Sequence, residues 1–139
     1  MSSVEFYSVP KEVVWRVWKS ILPLIEKSIE YSHGKASLDD LLESLLKEES
    51  QLFIAVVEKI RFAWITEIQQ YRDVKILLIT FAGGEESIGF LKDVFSFMER
   101  WGRELECDAI EIQGRPGWER LLGMERISVT LRKKLEKNK

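Results

Sequence analysis

Apolar and polar positions recur with two different periods along this chain, and the changes of period divide it into ten segments. Residues 4–9 are strand-like and stop at Pro10, whose fixed φ and missing N–H suit the first turn of a helix. Val13, Val14, Val17, Trp18, Ile21, Leu22, Leu24, Ile25 and Ile29 then repeat at helical spacing. Pro23 within that run predicts a kink near Ser20. Residues 31–36 read as a loop that includes His33. Ser37 is a good N-cap for a second helix, with Asp39 and Asp40 favoured in its first turn by the helix dipole. Leu38, Leu41, Leu42, Leu45 and Leu46 form its buried face.

The middle of the chain changes to strand chemistry. Residues 51–58 are apolar on both faces, Lys59 marks a tight reversal, and residues 61–70 form a second strand rich in β-branched and aromatic side chains. Arg72-Asp73 marks the next turn, and residues 74–81 are a third strand, nearly all apolar. Such short connections imply an antiparallel meander. Residues 82–86 read as a turn into a helix over about 87–106, with Leu91, Val94, Phe95, Met98, Trp101 and Leu105 as its core stripe. Residues 109–113 return as a central strand, parallel to the strand before the helical crossover. A turn and a short helix over 116–122 follow, and residues 126–134 alternate, which predicts a closing strand with Ile127, Val129 and Leu131 on one face. Trp15, Trp18, Trp64 and Trp101 all fall on apolar faces and are expected in the core.

Composition narrows the picture. The 139 residues suit one domain, 1–139, large enough for a single core, and a formal net charge of −2 gives no reason to expect nucleic-acid binding. The basic run at 132–139 reads as a solvated end. With one cysteine (Cys107) and one histidine (His33), neither an intrachain disulfide nor a zinc site is expected, and no metal is assigned. No apolar run approaches the roughly 20 residues a membrane span needs, and no secretion signal is visible, so a cytoplasmic protein is expected.

The order β-α-α-β-β-β-α-β-α-β resembles that of the GNAT acetyltransferase superfamily. The run Glu111-Ile112-Gln113-Gly114-Arg115-Pro116-Gly117-Trp118-Glu119-Arg120-Leu121 is similar to small GNAT-like proteins encoded by tailed bacteriophages. The resemblance implies an α/β GNAT-like fold, a mixed twisted β-sheet flanked by helices on both faces. It also implies acetyl-CoA, with its pyrophosphate held by backbone N–H groups at a helix N-terminus after the fourth strand. On that correspondence Phe81, Ala82, Gly83, Gly84 and Ser87 are the cofactor-binding candidates. The family pattern of Gln or Arg, two residues, Gly, one residue, then Gly or Ala is altered here, and Glu85 and Glu86 stand where the anion would lie. A like-charge pair at ~5 Å costs on the order of 3 kcal/mol at an effective dielectric of ~20, against roughly 0.3–2 kcal/mol from the helix terminus. Unless those side chains turn away, repulsion wins.

The family's tyrosine on the last helix, which protonates the departing thiolate, corresponds to Trp118, and an indole N–H cannot supply that proton. A general base is sought on the central strands, where Glu67 and Glu111 are the catalytic candidates; as alternatives they face solvent or pair with Arg61, Arg115 or Arg120. Arg115, Trp118 and Arg120 form a set of interaction candidates, because Arg and Trp are enriched at interface hot spots. Two functions stay open: a GNAT-fold binding or virion-associated module with a protein partner, located in the host cytoplasm or the virion if phage-encoded, and an acyl-CoA-dependent N-acetyltransferase acting on a small amine or a protein amine.

Overall fold

In the computed structural model, which describes residues 4–30, 32, 34–85, 87–112 and 117–137, five strands form one sheet in the order β1-β2-β3-β4-β5. Strand β1 (Glu5–Val9) ends at Pro10, a 3₁₀ turn over Lys11–Val13 follows, and α1 (Val14–Glu30) runs on through Pro23. Helix α2 (Leu38–Leu46) starts at Ser37, whose hydroxyl accepts from the Asp40 N–H while the Asp40 carboxylate accepts from the Ser37 N–H, each at 3.2 Å. This reciprocal cap satisfies two donors that the helix leaves open. Ser37→Ala should therefore lower stability by about 1 kcal/mol, read as a fall of a few degrees in Tm. Lys11 and Lys47 hold their protons more tightly than usual because they bond to Glu48 and Glu43, and the first pair ties the entry of α1 to the end of α2.

Strands β2 (Gln51–Val57) and β3 (Lys59–Gln70) form a hairpin in which Val57 pairs with Lys59, so Glu58 alone makes the reversal, with φ of 67°. The turn thus sits one residue before Lys59, the position expected from the sequence. Strand β4 (Lys75–Gly84) pairs antiparallel with β3, and α3 (Ile88–Glu104) crosses over to β5 (Ala109–Ile112), which pairs parallel with β4. The chain then enters α4 (Gly117–Leu122).

Strand alternation sorts the core into two layers. On one face Val14, Trp18, Ile21 and Ile25 of α1 and Leu41 and Leu45 of α2 cover Leu52, Ile54, Ala63 and Ile65. On the other, Phe90, Leu91, Val94, Phe95 and Met98 of α3 cover Phe53, Ala55, Phe62, Trp64, Leu77 and Ile79. Trp15 departs from the expectation of burial: it is 62% exposed, because α1 buries the 14-18-21-25 stripe and position 15 lies off it. The predicted closing strand is also absent. Residues 124–137 carry no helix or strand, and Ile127, Val129 and Leu131 are exposed, so among the described residues no strand pairs with that alternation.

Candidate functional site

Among the described residues β4 outlasts its pairing with β5, leaving a notch beside its end: the pairing runs to Ile79 opposite Ile112, while β4 continues to Gly84. Ala82, Gly83 and Gly84, expected in a turn, belong to the strand, and the connection to α3 is confined to 85–87. At the mouth of the notch Thr80 is an extra residue in β4. Ile65 faces Phe81 while Thr66 faces Ile79, and Thr80 Oγ1 donates to the Ile65 carbonyl at 3.1 Å. Such a bulge bends the strand and turns its edge.

Hydrogen-bond alternation then fixes which amides face the notch. The Glu85 N–H donates to the Arg61 carbonyl at 2.9 Å, so the pairs 63/83 and 65/81 are the bonded ones and 64/82 is not. The Ala82 N–H accordingly turns away from β3, and it donates to Ser28 Oγ of α1 at 3.3 Å. Ser28 was not singled out from the sequence. It follows Val14, Trp18, Ile21 and Ile25 at the next position of the buried stripe, and a hydroxyl on that stripe was the available signal.

The N-terminus of α3 completes the rim. Its N-cap, Ser87, is extended but makes no side-chain capping bond, and the Leu91 N–H to Ser87 carbonyl bond at 3.0 Å is the first of the helix. The first-turn N–H groups have no helical partner of their own. A Cβ added to Gly89 in that turn would meet nothing within 4 Å, so the approach is open. Glu85 lines a neighbouring cleft of about 520 Å³ together with Ser20, Leu24, Lys59, Ile60 and Arg61. That cleft gathers both signs of charge, from Glu85 and from Lys59 and Arg61. Glu86 lies outside the described residues.

The two glycines expected to admit a cofactor have another demand on them. A Cβ on Gly83 would lie 1.7 Å from the Leu24 carbonyl oxygen of α1, and one on Gly84, whose φ is +133°, would lie 2.2 Å from the Arg61 carbonyl oxygen. Their missing side chains are required by the protein's own backbone. Phe81 is half-buried on the α1 side of the sheet and Ala82 on the α3 side.

Register brings the two catalytic candidates into one row. Glu67 lies opposite Leu78 and Leu78 opposite Glu111, so all three share the face that also carries α1. With two strand spacings between them, Glu67 and Glu111 are about 10 Å apart at the backbone. Trp118 packs edge-on against Phe95 of α3, with ring centroids 6.5 Å apart, while Arg120 is exposed. Arg115 and His33 lie outside the described residues. Among the described residues no group of three or more His, Cys, Asp or Glu is placed to hold a metal, and no helix is long and apolar enough to cross a membrane.

Solved structures share this fold. An aminoglycoside acetyltransferase from an uncultured soil metagenomic sample superposes with a TM-score of 0.68 at 14% identity, covering 96% of this chain and 97% of that one. The fold is that of the GNAT acetyltransferases. Glucosamine-6-phosphate N-acetyltransferase from Arabidopsis thaliana gives a TM-score of 0.63 at 11% identity, with 96% and 99% of the two chains covered. The ribosomal-protein-alanine N-acetyltransferase of Brucella melitensis biovar Abortus 2308 gives 0.63 at 9%, with 97% and 99% covered. No protein-family model matches the sequence, and no curated protein does. At these identities the likeness to GNAT structures concerns the fold.

Proposed function

We propose that this GNAT-fold chain binds an acyl-CoA, acetyl-CoA being the simplest, in the notch beside β4 and transfers the acyl group to an amine. The observation that carries the reading is the Ala82 N–H, turned out of the β3 ladder toward α1, set beside an α3 N-terminus without a side-chain cap and with open space at Gly89. The group fits these residues. First-turn N–H groups of α3 suit a pyrophosphate, because they are unpaired donors at the positive end of the helix dipole. The edge of β4 at 80–84 offers amides to an extended, amide-bearing arm, as a sheet edge does to a peptide. When bound, the cofactor supplies a thioester-activated acyl group. Glu67 and Glu111, on one face near the bulge, are the groups suited to take the proton of the attacking amine. Ser28 holds the Ala82 amide in place until a ligand arrives.

A second reading is a binding module, virion-associated if the chain is phage-encoded, and Trp118 favours it. This side chain is packed against Phe95 and offers no phenol to a leaving thiolate.

Calorimetric titration with acetyl-CoA separates the two. Under the enzyme reading the protein binds at micromolar concentration, and Glu85→Lys tightens binding about threefold to tenfold by changing a repulsive charge into an attractive one near the helix terminus. Gly89→Asp weakens binding at least as much, and the open space around Gly89 keeps the fold intact. Absence of heat at millimolar ligand, with the protein folded, would reject cofactor binding and leave the module.

A further inference from the structure

We infer that the cleft between α1 and the start of β3 is a second ligand site, which takes a small organic phosphate monoester. The cleft measures about 520 Å³, within the usual size range of small-molecule sites. The half-buried Leu24 and Ile60 give it an apolar floor, and Ser20, Lys59 and Arg61 add polar groups along its walls.

An irregularity in the β2–β3 ladder presents Arg61 to this space. Ala55 faces Phe62 while Val56 faces Ile60, so Arg61 is an extra residue of β3. Such a bulge breaks strand alternation, and Ile60 and Arg61, adjacent in the chain, both line the cleft. The guanidinium is held there, because its Nε donates to the Val57 carbonyl at 3.0 Å and the side chain is only 30% exposed. One terminal nitrogen lies 3.9 Å from the exposed Glu58 carboxylate, too far for a hydrogen bond, so its donors are open to a closer acceptor.

The surrounding charge selects a dianion. Arg16 and Lys27 fall on the face of α1 that carries Ser20 and Leu24, at spacings of four and three residues. With Lys59 and Arg61 they set four cations around the opening, against the carboxylates of Glu58 and Glu85. Among the described residues Arg16, Lys27 and Lys59 form no ion pair. This local excess of two positive charges stands on a chain whose net charge is −2. A phosphate monoester carries about −1.5 to −2 at pH 7 and three acceptor oxygens, whereas a single carboxylate would leave half of the excess unanswered. The apolar floor calls for an organic body on that phosphate.

The cleft is separate from the notch. Helix α1 sits directly on β4 where the Leu24 carbonyl meets Gly83, with no room for a methyl group, and again where Ser28 Oγ accepts from the Ala82 N–H. Those contacts lie between the cleft, on the β3 side, and the notch, on the β5 side. The phosphate site therefore stands whether or not the notch binds an acyl-CoA.

NMR titration of the isotope-labelled full chain with phenyl phosphate tests the inference. The ligand should saturate at sub-millimolar concentration and move the amide signals of Ser20, Leu24 and residues 59–61. Lys59→Glu should weaken it about tenfold or more by turning a wall cation into a repelling charge, and Arg16→Glu, on the other wall, serves if that variant misfolds. Inorganic phosphate, which has no apolar body, should bind severalfold more weakly. Absence of saturation at millimolar phenyl phosphate overturns the inference, and so does equal binding by the charge-reversed variants. Shifts confined to residues 87–91 overturn it too, since the phosphate would then sit on the α3 N-terminus. Equal affinity for inorganic phosphate overturns the choice of an organic ligand.

Discussion

Trp64→Ala is expected to cost about 3–5 kcal/mol of unfolding free energy, the usual range for truncating a fully buried aromatic, and to lower Tm by roughly 10–15 °C. The side chain has no exposure and sits at the centre of the sheet, stacked on Phe53 with centroids 5.5 Å apart and an interplanar angle of 10°. Phe6, Phe62 and Phe97 surround it at 6.0–6.3 Å, and its indole N–H donates to the Met98 sulfur of α3. Truncation therefore removes contacts on every side at once and leaves a cavity whose walls are other large rings. Sheet and helix pin those rings, so the site cannot collapse around the loss, and the cavity term adds to the transfer term. Trp64→Phe keeps most of the ring and should cost less than half as much. Trp15→Ala should change stability by no more than about 0.5 kcal/mol, because its ring is largely in solvent. Urea denaturation of the three variants measures the contrast. A cost for Trp64→Ala below about 1 kcal/mol would mean the aromatic layer is not packed as described.

Gly83→Ala is the second large effect, at about 3 kcal/mol, the upper end of what overpacking usually costs. One methyl group is added, yet its carbon would fall 1.7 Å from the Leu24 carbonyl oxygen and 2.8 Å from the Leu24 carbonyl carbon. Both are backbone atoms of α1, so no rotamer change relieves the clash and the helix itself must move off β4. Ile21 and Ile25 of the same helix are fully buried on either side of that contact, and a shift would loosen them too. Gly89→Ala makes the control. Open space surrounds that position, and alanine in a helix is favoured over glycine by up to about 1 kcal/mol, so this variant should be neutral or slightly stabilised. The contrast also bears on the cofactor reading. Loss of binding in a Gly83 variant would report on the seat of α1, whereas loss in Gly89→Asp reports on the helix terminus.

The placement of Glu67 and Glu111 shows where the reach of sequence reasoning ends for the candidate site. Each was recognisable as a carboxylate within an apolar strand. That they share a row across Leu78 follows only from the register of three strands. A one-residue slip in either pairing would send one of them to the other face. The Thr80 bulge supplies such an offset two residues farther along β4, and nothing in the local composition marks it.

What the sequence determined by itself is what short-range physics controls. The periods of 3.6 and 2 assigned four helices and five of the six expected strands, and the Ser37 cap and the Pro10 entry marked where helices begin. Those signals depend on sterics and hydrogen bonds within a few residues. Only the tertiary structure decided the rest, because the deciding partner lies far along the chain. Residues 82–84 join β4 because the start of β3 pairs in register with them, and Gly83 is bare because α1 presses on it. Trp15 is exposed because the sheet is wide enough to cover just one stripe of α1. Residues 126–134 have a strand's pattern without being a strand, since alternation states a capacity for pairing and the hydrogen bonds that fulfil it must come from another element.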